Sequence, residues 1–159
     1  DGVREQCRPD LQLAVRLSPE RFGMLVDEIR EVFSLLVSSG KVDLIDMSLW
    51  DVFKEAHEPE HAGKQLLELF TSIPRGNVKL AVAGKIATPQ DAQKVIDLGA
   101  DIAALGRGAI LHHDFPNKTK ADPHFTPRTL PVAAEVLRSE GLSEPFVNYM
   151  KSWTGFVSE

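Results

Sequence analysis

Two short pairs of residues carry the most suggestive chemistry in this sequence. Gly84-Lys85 closes the apolar run LAVA, and Gly106-Arg107 closes the run IAAL. A glycine leaves its backbone N–H open to close approach, and the neighbouring cation supplies positive charge. With a helix N-terminus close behind, those are the features that hold a phosphate group. Taken singly, each pair reads as a turn glycine beside a solvated charge. Repeated at the ends of two consecutive runs, they read as two halves of one phosphate clamp.

Arg16 raises a different question, because it interrupts the run LAVRLS. A guanidinium buried in a strand needs an acceptor. Two acceptors fit: a core carboxylate such as Asp46, or an electron-rich group of a ligand. The remaining reactive side chains suggest less. Cys7 lies in a polar terminal segment with no activating partner, so it reads as a bystander thiol. His57, His61 and His124 show no metal-binding spacing, and no metal is expected. His112 and His113 are adjacent, point in different directions on a helix, and read as surface or helix-terminal residues rather than a shared clamp. Tyr149, the only tyrosine, falls in a terminal helix. None of these residues is assigned a catalytic role.

The elements that must position these residues alternate. Short apolar runs bounded by proline, glycine or polar residues predict strands over 11–17, 42–48, 78–84 and 101–106. Between them, Leu25, Ile29, Val32, Phe33 and Leu36 recur at helical spacing before Gly40. A second helix is expected over 61–72. A third begins with Thr88 as N-cap, Pro89 as first residue and Asp91 in the first turn, and stops at Gly99. A short helix is expected over 107–113. The order βαβαβαβα implies a parallel sheet with right-handed crossovers. Its strands are apolar along both faces, as a covered sheet or a closed barrel requires. In such folds ligands bind at the carboxyl ends of strands, where Arg16 and both glycine-cation pairs fall. After Pro116 the chain is polar and proline-rich up to Thr129. Packing helices are expected over 132–140 and 143–153, with Phe146, Val147, Met150 and Trp153 able to share one face.

Composition narrows the function classes. At 159 residues the chain is long enough for one domain with a real core. Its net charge of −5 argues against a nucleic-acid or anionic-membrane surface. No apolar run approaches a membrane span, and no secretory leader is recognisable. One cysteine excludes an internal disulfide framework and suits a reducing, cytoplasmic setting.

The segments LAVRLSPERFGM, VDLIDMSLWDVFKE, VKLAVAGKIATPQDAQKVIDLGADIAALGRGAIL and GLSEPFVNYMKSWTGFV resemble, in order, the Old Yellow Enzyme family of FMN-dependent NAD(P)H oxidoreductases and ene-reductases. The resemblance covers almost the whole chain but only the carboxyl-terminal half of that family's barrel. It implies an α/β fold of four βα units, strands five to eight of a TIM (β/α)8 barrel over 11–113, with a helical extension over 114–159, together one half-barrel domain over 1–159. By position, Arg16 matches the strand-five arginine that approaches the N1/O2 edge of the flavin. Gly84 and Lys85 match the strand-seven phosphate loop, and Gly106 and Arg107 the strand-eight pair that binds the FMN phosphate. Ser48, Leu49 and Trp50 would lie on the mouth side with no firm role. The family's carbonyl-binding pair and tyrosine proton donor lie in its amino-terminal half and map to nothing here.

The resemblance further implies hydride transfer from NAD(P)H through FMN to a small electron-poor acceptor such as an activated alkene. This chain would supply the FMN phosphate site and be inactive alone. The opening DGVREQCRPD reads as the tail of a helix that precedes strand five, so a fragment, a separately expressed domain or one piece of a longer protein is expected. Unpaired strands at both sheet edges then predict homo-oligomerisation or pairing with the missing half-barrel. A non-catalytic FMN-binding or self-associating half-barrel is the alternative.

Overall fold

A computed structural model describes residues 1–20 and 22–158. Their contacts divide the chain into two compact units, residues 1–86 with 93–104, and residues 87–92 with 105–159.

The first unit is an α/β sheet. After a short exposed helix α1 (Gly2–Gln6), four strands run β1 (Ala14–Leu17), β2 (Leu44–Ser48), β3 (Lys79–Ala83) and β4 (Ile102–Ala104). All neighbours pair parallel, in the order β1-β2-β3-β4. The expected sequential parallel sheet is therefore present, with each strand shorter than its apolar run. The crossovers carry α2 (Val26–Ser38), α3 (Leu66–Thr71) and α4 (Pro89–Asp97).

The helix ends follow local chemistry. Glu28 accepts the Leu25 N–H at 2.8 Å and Glu58 accepts the Val26 N–H at 2.7 Å, so two carboxylates serve the free donors at the start of α2. Gly40, at φ 64°, turns the chain out of it. At α4 the expected cap forms reciprocally: Thr88 Oγ1 accepts the Asp91 N–H, and Asp91 accepts the Thr88 N–H, each at 3.0 Å. The helix expected over 61–72 is interrupted. A 3-10 turn at Pro59–His61 ends before Gly63, whose φ of 76° no helix accommodates, and α3 starts at Leu66.

The two faces of the sheet differ, which corrects the expectation of strands covered on both sides. Ile45, Met47, Leu80 and Val82 share one face and have no exposed surface. Phe33 of α2 and Phe70 of α3 are buried too, their rings 6.0 Å apart. On the opposite face the register aligns Arg16 with Asp46, Asp46 with Ala81, and Ala81 with Ile102. There Ala14, Arg16, Lys79 and Ile102 are exposed. An all-parallel sheet is normally covered on both faces.

The second unit is helical: α5 (Arg107–Leu111), α6 (Phe115–Ala121), α7 (Ala134–Ser139) and α8 (Glu144–Lys151). Leu111, Val132, Leu137, Val147, Met150 and Phe156 form its core. Helix α6 was not expected in the polar stretch after Pro116. Pro116 sits in its first turn, where a missing N–H does no harm, and Lys118 pairs with Asp114 one turn back. Phe146, Val147, Met150 and Trp153 do not share one buried face, and Trp153 lies past the end of α8. Val147 and Met150 are buried, whereas Phe146 and Trp153 are about as exposed as Tyr149 and stack with it at 5.9 and 5.8 Å. Among the described residues no helix is long and apolar enough to cross a membrane.

Candidate functional site

In the first unit the residues of interest gather at the carboxyl ends of the strands. Arg16 is not buried: its side chain is 60% exposed on the open face of the sheet. Its Nη1 lies 3.3 Å from Asp46 Oδ2, and its Nη2 donates to Ser48 Oγ at 3.1 Å. The parallel register places all three on one face. The carboxylate partner is thus Asp46, and the exposed part of the guanidinium stays accessible to a ligand. Asp46 Oδ1 is shielded from solvent and has no hydrogen-bond partner among the described residues.

One strand further, the turns after β2 and β3 are locked together. Leu49 N–H donates to Ala83 O at 2.8 Å, and Val52 N–H to Gly84 O at 3.1 Å. A Cβ on Gly84 would stand 2.8 Å from Asp51 N and 2.9 Å from Trp50 C, closer than real Cβ contacts come. Glycine is required here by the backbone opposite. Trp50 and Lys85 both adopt positive φ, 60° and 53°, a conformation that strains residues with a side chain. Lys85 Nζ lies 3.1 Å from Asp51 Oδ2, and Asp51 Oδ1 accepts the Phe53 N–H at 3.1 Å. Burial pushes the Asp51 carboxyl up. The Lys85 ammonium and the Phe53 N–H outweigh it and hold the group below its ordinary range. Lys85 is therefore not the solitary cation its sequence position suggested.

The Gly106-Arg107 pair belongs to the second unit. Gly106 has a negative φ, −97°, and a Cβ there would meet nothing within 4 Å. Neither packing nor a left-handed backbone calls for this glycine. Arg107 is exposed, with no ion-pair partner among the described residues. The helix it opens has five residues, so the dipole expected to assist an anion is short. The two glycine-cation pairs thus differ: one glycine is packed and its cation paired, the other glycine is open and its cation unpaired.

The remaining reactive side chains are engaged within the protein or exposed. His112 caps the carboxyl end of α5, as a helix-terminal residue, but is buried rather than on the surface; its Nε2 accepts the Arg128 N–H at 2.9 Å while the ring stands edge-on to Phe125 at 5.5 Å. Burial, then the charges of Arg128 and Lys118, lowers its pKa. His113 Nδ1 lies 2.7 Å from Glu140 Oε2, and Arg128 pairs with the other oxygen. Burial raises the Glu140 pKa, but hydrogen bonds from His113 and Arg128 bring it down to about 2. His113, Asp114 and Glu140 could offer ligand atoms within 4.8 Å of one another, but Glu140 already takes Arg128 and Asp114 already takes Lys118. Cys7 and Tyr149 are exposed.

At the other end of the sheet lies a cleft of about 330 Å³ that reaches Arg75, Lys79 and Asp101. Asp101 accepts the Leu80 N–H at 2.9 Å and pairs with Lys79 and Arg75 at 2.9 and 3.1 Å, which holds it at about 2. Both cations of this cleft are engaged by the one carboxylate.

Asp51 is the residue of this region that sequence reasoning missed. It stands 34 positions from Lys85 and no motif joins them. The signal that could have found it is the parallel register, which brings the ends of consecutive strands side by side.

No family model matches the chain, and no curated protein matches it. Among solved structures it is similar to a crystal structure of DHODH in complex with ferulenol, from Eimeria tenella. The identity is 17% and the TM-score 0.42, over 62% of this chain and 29% of that one. The chain thus matches less than a third of the length of that structure.

Proposed function

We propose that this chain is the carboxyl-terminal half-barrel of an FMN-dependent oxidoreductase of the Old Yellow Enzyme type. The observation that carries the reading is Arg16: a guanidinium near the carboxyl end of β1, held by Asp46 and Ser48, yet 60% exposed on the uncovered face of a parallel sheet. A barrel interior needs such a face, and a flavin needs such a cation at its pyrimidine edge. Positive charge there stabilises the anion of reduced flavin. In the first unit Gly84 and Lys85 are read as a phosphate loop; in the second, taken by itself, the open approach to Gly106 and an Arg107 without an ion-pair partner among the described residues suit the FMN phosphate.

Bound FMN would accept hydride from NAD(P)H and pass it to a small electron-poor acceptor such as an activated alkene. The part of these residues is to bind and orient it, and none of them moves a proton. In the same reading the outer edges of β1 and β4 are completed by a missing half-barrel or by a second copy, in the cytoplasm.

Fluorescence titration with FMN tests the site. Arg107→Ala is expected to weaken FMN binding about 10-fold or more, as loss of a charge-assisted phosphate contact does. Equal affinity for FMN in the variant would overturn the assignment.

A further inference from the structure

The turn after β3 presents a contradiction for an anion site. Its one cation, Lys85, is already engaged by Asp51 at 3.1 Å. Asp51 cannot easily leave. Its second oxygen is fixed on the Phe53 N–H, and its backbone is pressed against Gly84 so closely that a single added carbon would collide with it. Lys54 also acts on Asp51 through its charge, but its ammonium is engaged by the buried Glu20. Lys85, on a long and 61% exposed side chain, is the less constrained member of the pair. A phosphate that takes the ammonium must compete with a fixed carboxylate of its own sign.

We propose that Asp51 is a charge gate on the phosphate turn, a specificity-determining residue that occupies the Lys85 ammonium and weakens the hold on phosphorylated ligands. The inference rests on the flavin-phosphate reading above and adds what limits it. Asp51 opposes dianionic ligands selectively, because repulsion scales with ligand charge. A ligand of the same shape without phosphate is indifferent to it. Asp51 touches no reacting atom in this reading and acts through Lys85.

The test is a double-mutant cycle on the full chain, with FMN and phosphate-free riboflavin as probes, followed by flavin fluorescence. Asp51→Asn retains an oxygen for the Phe53 N–H while removing the charge, and Asp51→Ser serves as a second variant. The expected result is a gain of about 10-fold in FMN affinity on Asp51→Asn, with riboflavin affinity unchanged. The gain should vanish in a Lys85→Met background and be reversed by Asp51→Glu, which a merely structural role would not produce. Equal or weaker FMN binding by Asp51→Asn and Asp51→Ser would overturn the gate alone, provided the unaltered chain binds FMN. FMN bound by none of these proteins would overturn both the gate and the flavin reading.

Discussion

The two glycines chosen for the same reason in the sequence turn out to be needed for different ones. Gly84 is fixed by backbone 2.8 Å away, so Gly84→Ala should destabilise the fold by about 2–4 kcal/mol, read as a lowered midpoint in denaturant. Gly106 faces open space, and Gly106→Ala should change the same midpoint by less than about 0.5 kcal/mol. A larger effect at Gly106 than at Gly84 would contradict the packing described. Glu140 makes a pH-dependent prediction. Its folded-state pKa of about 2 lies below the ordinary 4.5, so the stabilisation is complete above pH 4.5 and is lost as the pH falls towards 2. Glu140→Gln should therefore cost about 3 kcal/mol near neutral pH and flatten the acid limb of stability against pH, followed by circular dichroism. Arg16 shows what sequence can resolve at this scale. The anomaly of a cation in a strand was legible, and so was Asp46 as its partner. Its exposure was not, because composition does not tell a covered face from an open one.

Elements were more legible than their faces. All four strands and the capped start of α4 follow from apolar runs and punctuation residues. The start of α3 does not, because a left-handed Gly63 breaks a stretch whose leucines otherwise continue the helical pattern. Helix α6 was hidden because its stability comes from a proline start and an Asp114–Lys118 pair, not from an apolar stripe. Around α8 the aromatic residues misled, since Phe146 in the helix and Trp153 just beyond its end fit the period but are exposed. Met150→Ala, in the core of that unit, should lose about 2–4 kcal/mol in thermal or denaturant unfolding. Phe146→Ala should lose less than about 1 kcal/mol, because a side chain 40% exposed surrenders little burial. Comparable losses would return Phe146 to the core face.

At the scale of the whole molecule, the sheet has two strands paired on one side only and one face in contact with solvent. Backbone donors and acceptors along such edges are templates for another strand. The half-barrel reading accounts for both features at once, and predicts that sedimentation velocity finds the chain associated at micromolar concentration. A strict monomer would leave the pairing to a separate half. The candidate residues were legible in the sequence as a set of strand ends. What the sequence withheld is the opposing charge at Asp51, because proximity across parallel strands leaves no mark in spacing. The central claim, that this chain holds a flavin through its phosphate, is tested most directly by one spectrum. The purified chain is mixed with FMN, passed over a desalting column and read in the visible range. The account predicts a retained flavin band that is lost when riboflavin replaces FMN. A colourless protein, or equal retention of riboflavin, would contradict it.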